Sequence, residues 1–163
     1  MNIAVVGGGS SLRKLRNGAE IDSHDIVIRI KYIRDLNKET TGVKTDILII
    51  PWQEKVSNVP ESIDVWVVDY DESFGYELRK FAADNYDLLG ISSTTGLNAI
   101  HMCLDKFSGN IDVYGYDFYK PSNYYFDEKI VPLCKEHNHI VEEEYFKKLC
   151  NEHKRLNWIN GQQ

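Results

Sequence analysis

The stretch NIAVVGGGSS, at positions 2–11, predicts how this chain folds. Its apolar half, which contains Ile3, Val5 and Val6, has the length and composition of a buried parallel strand. Three glycines and two serines follow, and a short helical segment begins at Leu12. Strand, glycine turn and helix in this order are typical of the first unit of an α/β sheet.

The same alternation continues along the chain. We predict further strands at 25–30, 46–50, 64–69 and 111–116, and helices at 73–85 and 95–107. A charged helix is predicted from about Glu142 to Leu156. Strands that alternate with helices indicate one α/β domain over residues 1–163, with a Rossmann-like, mainly parallel sheet and flanking helices.

The composition limits the classes of protein to which the chain can belong. With 163 residues, 42% of them hydrophobic and 27% charged, the chain has the make-up of an ordinary folded domain. Its net charge of -6 gives no long-range attraction to nucleic acid. No apolar run approaches the ~20 residues of a membrane span, and three cysteines without an export signal are expected to be free thiols. We therefore expect a cytoplasmic protein without a transmembrane segment.

Two turns combine glycine with hydroxyl side chains. The first turn, after the first strand, comprises Gly7, Gly8, Gly9, Ser10 and Ser11. The second, before the helix at 95–107, contains Ser93, Thr94, Thr95 and Gly96. Such turns favour the approach of a phosphate, and two of them in one α/β domain are expected to meet at one crevice. A tight turn without a ligand explains the first turn equally well, and helix capping explains part of the second.

Four segments, in order, resemble the sialylmotifs of the animal-type sialyltransferases, glycosyltransferase family 29. Residues 3–29, with IDSHD at 21–25, and residues 41–45 are similar to the large motif. Residues 93–97 and 111–116 are similar to the small motif, and 124–127 to the short aromatic and acidic third motif. His139 and Glu144 have the spacing of the last motif. The resemblance covers nearly the whole chain.

The resemblance implies an activity and a site. The family transfers sialic acid from a CMP-sugar to a glycan hydroxyl with inversion and without a metal ion, on a GT-A-like variant of the Rossmann sheet. It implies that the two turns, with Gly115 and Tyr125, hold the cytidine monophosphate, and that His139 deprotonates the acceptor. Imidazole suits this task near neutral pH. Glu144 would orient the base or its helix, although Glu142 and Glu143 are alternatives.

The chain also departs from the family pattern. Gly8, Ser11 and Lys31 stand where the family usually has asparagines. Lys31 is expected either to add a positive charge to the donor site or to be solvated. The small-motif cysteine is kept as Cys103, but its disulfide partner position is Ile3, so the family's bridge cannot form.

Other interpretations remain open at this point. Four residues have the spacing of a structural zinc site: Cys134, His137, Cys150 and His153. Outside the family context His139 is an ordinary surface histidine, and the aromatic residues around Tyr125 are plain packing. The fold could also serve a non-catalytic nucleotide-binding module. Within the enzyme hypothesis, another CMP-activated acidic sugar such as Kdo is an alternative donor.

Overall fold

The computed structural model describes residues 1–51, 59–67, 88–90, 92–118, 120, 124–127 and 137–159. The helix predicted at 73–85 lies outside these ranges. The elements along the described chain are β1 (Asn2–Val6), α1 (Ser11–Leu15), α2 (Gly18–Asp22), β2 (Ile26–Ile30), β3 (Ile47–Ile50), β4 (Asp64–Val67), α3 (Thr95–Lys106), β5 (Asn110–Tyr114), α4 (His139–Glu152) and β6 (Leu156–Ile159).

The six strands form one sheet in the order β4-β3-β2-β1-β5-β6. Every pairing between these strands is parallel, which confirms the predicted α/β class. Val6 at the end of β1 lies beside Arg29 on one side and Tyr114 on the other. The strand order therefore reverses at the pair β1 and β5, and the carboxyl ends of β2, β1 and β5 share one edge.

Both faces of the sheet are covered, as the continuous apolar strands predict. Ile3 and Val5 of β1 belong to the larger core, with α3, α4 and Phe146. Ala4 and Val6 belong to the smaller core on the other face, which includes Leu12 of α1. All four β1 side chains are at most 1% exposed. The central strand is thus fixed from both faces.

The terminal helix differs from its prediction. It begins at His139 rather than Glu142 and ends at Glu152, and Leu156–Ile159 forms β6 instead of continuing the helix. Leu156 pairs with Ile111 of β5. A four-residue strand directly after a helix has too little local pattern to be recognised, because its partner lies 45 residues earlier in sequence.

The two segments that resemble the large motif are held together by their own polar side chains. Asp22 accepts hydrogen bonds from the backbone of Val43 at 2.8 Å and of Lys44 at 2.9 Å. Arg29, which is 1% exposed, donates to the Thr41 carbonyl at 3.0 Å and to the Thr45 hydroxyl at 2.9 Å. Burial lowers the pKa of Arg29. These residues stabilise the loop between β2 and β3.

No helix in the described ranges is long and apolar enough to cross a bilayer. Cys103 is a buried free thiol, and Cys150 is a half-buried free thiol. Cys103 and Ile3 lie in the same core. Cys134 falls outside the described residues.

Candidate functional site

A cavity opens at the carboxyl edge of the sheet, beside the ends of β1 and β5. Open α/β sheets bind ligands at this position, where the strand order reverses. The cavity is open to solvent and encloses about 670 Å³ of empty space when its mouth is included. The lining residues are Gly7, Gly8, Gly9, Ile30, Lys31, Tyr32, Thr94, Gly96, Gly115, Tyr116, Asp117, Phe118, Tyr124 and Glu142.

Each of the four sialylmotifs that the chain resembles contributes residues to the cavity, although residues 41–45 of the large motif do not line it. The glycine turn and Lys31 come from the ends of β1 and β2, while Thr94 and Gly96 come from the start of α3. Tyr124 comes from the third segment, and Glu142 comes from α4. The prediction that the two hydroxyl and glycine turns meet at one crevice is confirmed. Their contact with a donor stays a prediction.

The glycines of the first turn are required by the neighbouring strand end. A Cβ atom on Gly7 would lie 2.6 Å from the Gly115 carbonyl oxygen. One on Gly9 would lie 2.5 Å from that oxygen and 2.5 Å from Cγ of Asp117. Gly9 donates its N–H to the Gly115 carbonyl at 2.9 Å. The turn therefore packs directly on the segment after β5.

Ser11 makes its hydrogen bonds with the protein's own carboxylate. Its backbone N–H donates to Oδ2 of Asp117 at 2.8 Å, and its hydroxyl donates to Oδ1. Asp117 is half-buried and lines the cavity. The sequence predicted that Ser11 would face a donor phosphate, but in the structure both of its donor groups are occupied by Asp117.

Thr94, at the start of α3, makes the equivalent arrangement with a second carboxylate. Its backbone N–H donates to Oε1 of Glu142 at 2.6 Å, and its hydroxyl donates to Oε2 at 2.8 Å. Thr94 also caps α3 by accepting from the Leu97 N–H at 3.3 Å. Each turn thus presents to the cavity a carboxylate that is held by one hydroxyl residue.

The remaining hydroxyl residues of the two turns do not line the cavity. Ser10 is 6% exposed, and its hydroxyl has no hydrogen-bond partner among the described residues. Ser93 donates to the side-chain oxygen of Asn98 at 2.7 Å, and Thr95 is buried in α3. The prediction that these three contact the donor directly finds no geometric support. They pack the turns instead.

Lys31 gives the cavity a positive charge. It follows the last residue of β2 with a left-handed backbone, φ 68°, a conformation that costs a side-chain-bearing residue about 1–2 kcal/mol. Strained residues of this kind cluster at functional sites. Burial raises the pKa of Glu142. The hydrogen bonds from Thr94 oppose this increase, and the charges of His137 and Lys31 oppose it to a smaller extent.

Aromatic rings form the side of the cavity near Lys31. Tyr32 and Tyr124 line it, with ring centroids 5.2 Å apart, and Phe126 packs 4.7 Å from Tyr32 and 5.1 Å from Tyr124. The guanidinium carbon of Arg34 lies 3.9 Å from the centre of the Phe126 ring. Tyr32 and Tyr124 line this side of the cavity, while Tyr116 and Phe118 line it from the segment after β5.

Tyr125 is not part of the wall, contrary to its prediction. It is 5% exposed, belongs to the smaller core and donates its hydroxyl to the Arg34 carbonyl at 2.8 Å. Its backbone N–H donates to the Gly8 carbonyl at 2.9 Å. The segment is a tight turn in which Tyr124 and Asp127 form an antiparallel bridge, and within it Tyr124 lines the cavity while Tyr125 packs into the smaller core. Tyr125 supports the glycine turn.

The residues that resemble the last motif lie at the start of α4. His139 is the first residue of this helix and is half-buried, while Asn138 caps it by accepting from the Val141 N–H at 3.3 Å. His139 is not among the lining residues. Glu144 is exposed, and Glu142, one helical turn after His139, is the glutamate that lines the cavity. Glu142 therefore replaces Glu144 as the glutamate of the site.

Two carboxylates and three aromatic residues of the cavity wall, Tyr32, Tyr116 and Phe118, were missed or misplaced from the sequence. Asp117 follows Gly115 by two residues, and its position just beyond a predicted strand end was a usable signal. Glu142 was considered only as an alternative to Glu144. Tyr32 follows Lys31 at the end of β2, and its nearness to Tyr124 depends on tertiary contacts that no local pattern reveals.

The structure describes three of the four residues that the sequence offers as zinc ligands. Cys134 lies outside the described residues. Within the described ranges, no three His, Cys, Asp or Glu side chains cluster as metal ligands, so His137, Cys150 and His153 do not form such a group. Nδ1 of His137 lies 2.8 Å from the Ser92 carbonyl oxygen, and burial raises the pKa of Cys150 to about 11. The raised pKa keeps the Cys150 thiol protonated, which opposes metal binding by this residue.

Comparison with known proteins agrees with the motif resemblance. Residues 2–51 match the family model described as glycosyltransferase family 29 (sialyltransferase). A search of curated protein sequences found no match. The resemblance to sialyltransferases that the motifs indicated is confirmed for these residues.

Solved structures extend the likeness to the whole fold. A mammalian sialyltransferase is 17% identical with a TM-score of 0.77, covering 99% of this chain and 69% of that chain. A mammalian sialyltransferase in complex with Gal-beta-1-3GalNAc-ortho-nitrophenol is 18% identical with a TM-score of 0.78, and the match covers 99% of this chain and 70% of that chain. The sialyltransferase CstII from Campylobacter jejuni, in complex with the substrate analogue CMP-3FNeuAc, is 13% identical with a TM-score of 0.69. The match covers 99% of this chain and 83% of that chain. The chain has the sialyltransferase fold.

Proposed function

We propose that this protein is an inverting glycosyltransferase that moves sialic acid, or a related acidic sugar, from a CMP-sugar to a glycan hydroxyl without a metal ion. The match of residues 2–51 to family 29 and the sialyltransferase fold support a glycosyltransferase. The ligands of two similar structures, a CMP-sugar analogue and a disaccharide derivative, suggest the classes of donor and acceptor. A cytoplasmic location is part of the proposal, in keeping with the free thiol of Cys103.

The observation that carries the proposal is the cavity itself. Four segments far apart in sequence resemble four motifs of one family, and all four contribute residues to one cavity at the reversal point of the sheet. The cavity is therefore proposed as the donor site.

In the proposed reaction the acceptor hydroxyl attacks the anomeric carbon of the sugar from the side opposite to CMP. A new carbon–oxygen bond forms as the bond to the CMP phosphate breaks, and the phosphate leaves with the electron pair. His139 takes the acceptor proton as general base. Lys31 stabilises the negative charge that grows on the departing phosphate. Glu142, one helical turn from His139 and fixed by Thr94, is proposed to keep the start of α4 against the cavity.

The test is turnover of a CMP-sugar by wild type and His139→Ala. We expect the variant to lose about 10²–10⁴-fold in kcat, the usual contribution of a general base, while its affinity for CMP stays within about threefold. The matched control is His153→Ala, because His153 is exposed at the other end of α4. Equal turnover by His139→Ala and His153→Ala would remove His139 from the mechanism.

A non-catalytic nucleotide-binding module is the second candidate. The observation that favours it is the occupation of Ser11 and Thr94 by Asp117 and Glu142, which leaves these turns fewer donors for an anion. Such a module would bind a nucleotide but turn over no CMP-sugar. Its affinity would also be the same in wild type and His139→Ala, so turnover by the wild type decides between the two.

A further inference from the structure

Asp117 is a carboxylate of the cavity to which the proposed reaction gives no task. It follows β5 by three residues and lies against the glycine turn of β1. Both of its oxygens are held by Ser11, one through the backbone N–H and one through the hydroxyl. The carboxylate is thereby fixed in position before any ligand arrives.

The fixed carboxylate still has acceptor capacity. An ionised carboxylate offers about four lone-pair sites, and Ser11 uses one on each oxygen. Asp117 is half-buried and lines the cavity, so its free lone pairs have access to a ligand there. Gly9 leaves room for this carboxylate because it has no side chain: a Cβ atom there would lie 2.5 Å from Cγ of Asp117.

The charge of Asp117 selects the part of a ligand that it meets. A phosphate or sugar carboxylate is repelled by it, whereas a hydroxyl group donates to it. Lys31, at the end of β2 on the other side of the β1 turn, is the lining residue with the opposite charge. Because β1 lies between β2 and β5 in the sheet, Lys31 and Asp117 belong to segments that follow the strands on either side of the β1 turn. A nucleotide laid across the turn can thus place its phosphate toward Lys31 and its ribose toward Asp117.

We infer that Asp117 binds the vicinal 2′- and 3′-hydroxyl groups of the donor's ribose and so selects ribonucleotides over deoxyribonucleotides. The two oxygens of one carboxylate match two adjacent hydroxyl donors. An acidic side chain performs this task at the strand ends of dinucleotide-binding sheets as well. The inference rests on the proposed function, because it presupposes a nucleotide in this cavity.

The test is calorimetric titration of wild type, Asp117→Asn and Asp105→Asn with CMP and with 2′-deoxy-CMP. Wild type is expected to bind CMP at least about tenfold more tightly than the deoxy compound, the ratio that one hydrogen bond to an ionised acceptor provides. Asp117→Asn should reduce this ratio to about threefold or less, because the amide keeps only one acceptor oxygen. Asp105→Asn removes an exposed charge of α3 and should keep the wild-type ratio.

The outcomes separate this inference from the function beneath it. Wild type that binds both nucleotides equally would overturn the inference even if Asp117→Asn failed to fold, and would leave the proposed donor site intact. The inference is also overturned if Asp117→Asn folds and keeps the full preference for CMP over 2′-deoxy-CMP. It is overturned as well if Asp117→Asn binds both nucleotides more tightly, because Asp117 then only repels the nucleotide. Wild type that binds no cytidine nucleotide would overturn both the inference and the donor site.

Discussion

Glu142 and Glu143 are neighbours in sequence, yet their surroundings shift their pKa values in opposite directions. Glu142 lines the cavity at 1% exposure, and burial raises its pKa. Glu143 accepts hydrogen bonds from Lys120 and Lys147, which lower its pKa. The bridge to Lys120 also joins α4 to the segment after β5. One carboxylate thus belongs to the cavity and the other to the scaffold.

The two glutamates should therefore have opposite effects on stability as pH changes. A raised folded-state pKa means that the contribution of Glu142 is complete below the unfolded value near 4.5 and is lost as pH rises through the folded pKa. The free energy of unfolding of wild type minus that of Glu142→Gln should fall from acid to neutral pH. Urea denaturation at several pH values measures it.

Glu143→Gln is the matched variant of this experiment. Because the folded-state pKa of Glu143 is lowered, its contribution is present above the unfolded value near 4.5 and is lost as pH falls through the folded pKa. The stability difference between wild type and Glu143→Gln should therefore shrink toward acid pH. Slopes of the same sign for both variants would contradict the assignment of their environments.

At the residue scale the sequence predicted positions better than contacts. The glycine turn, Lys31, Thr94, Gly96 and Gly115 were all placed at the cavity. The bond between Ser11 and Asp117 spans 106 residues, and the bond between Thr94 and Glu142 spans 48. Because such pairs form only when the sheet brings the segments together, a local pattern cannot reveal that these hydroxyls already have partners.

At the scale of elements, α4 joins the site to the core. Phe146, which is fully buried, packs with ring centroids 5.9 Å from Tyr116, 5.7 Å from Phe118 and 5.5 Å from Trp158 of β6. Tyr116 and Phe118 line the cavity from the segment after β5. The same helix carries His139 and Glu142 at its start, so packing at Phe146 fixes the geometry of the cavity wall.

Phe146→Ala should destabilise the protein by about 3–5 kcal/mol, the usual cost of removing a buried phenylalanine. Thermal unfolding and chemical denaturation measure the loss. Ile140→Ala is the control, because Ile140 lies on the same helix but is 54% exposed, and it should change stability by less than about 0.5 kcal/mol. Similar losses for both variants would contradict the packing of α4 described above.

Elements with a strong local pattern were predicted, and elements that depend on distant partners were not. β1 to β5 and α3 appear close to their predicted bounds because each has an apolar run or helical spacing of its own. β6 was not predicted, and the terminal helix was predicted to reach its first residue, Leu156, because the strand is recognised only by its pairing with β5. Arg155, just before β6, donates to the carbonyl oxygens of Phe107 and Gly109 beyond α3, a contact invisible in a linear sequence.

At the scale of the whole molecule, the fold is that of sialyltransferases at identities of 13–18%. Within that fold the cavity carries charges of both signs, because Lys31 and Asp117 line it from the segments that follow β2 and β5. The nucleotide preference of the cavity is therefore the property that most needs measurement.

The most direct measurement is calorimetric titration of the wild type with CMP, CDP, UDP, GDP and NAD, with and without EDTA. It examines the donor site without requiring the acceptor. We predict that CMP binds most tightly and that EDTA leaves its affinity unchanged. Binding without preference for a cytidine nucleotide, or binding of CMP that EDTA abolishes, would contradict the proposal of a metal-independent CMP-sugar transferase.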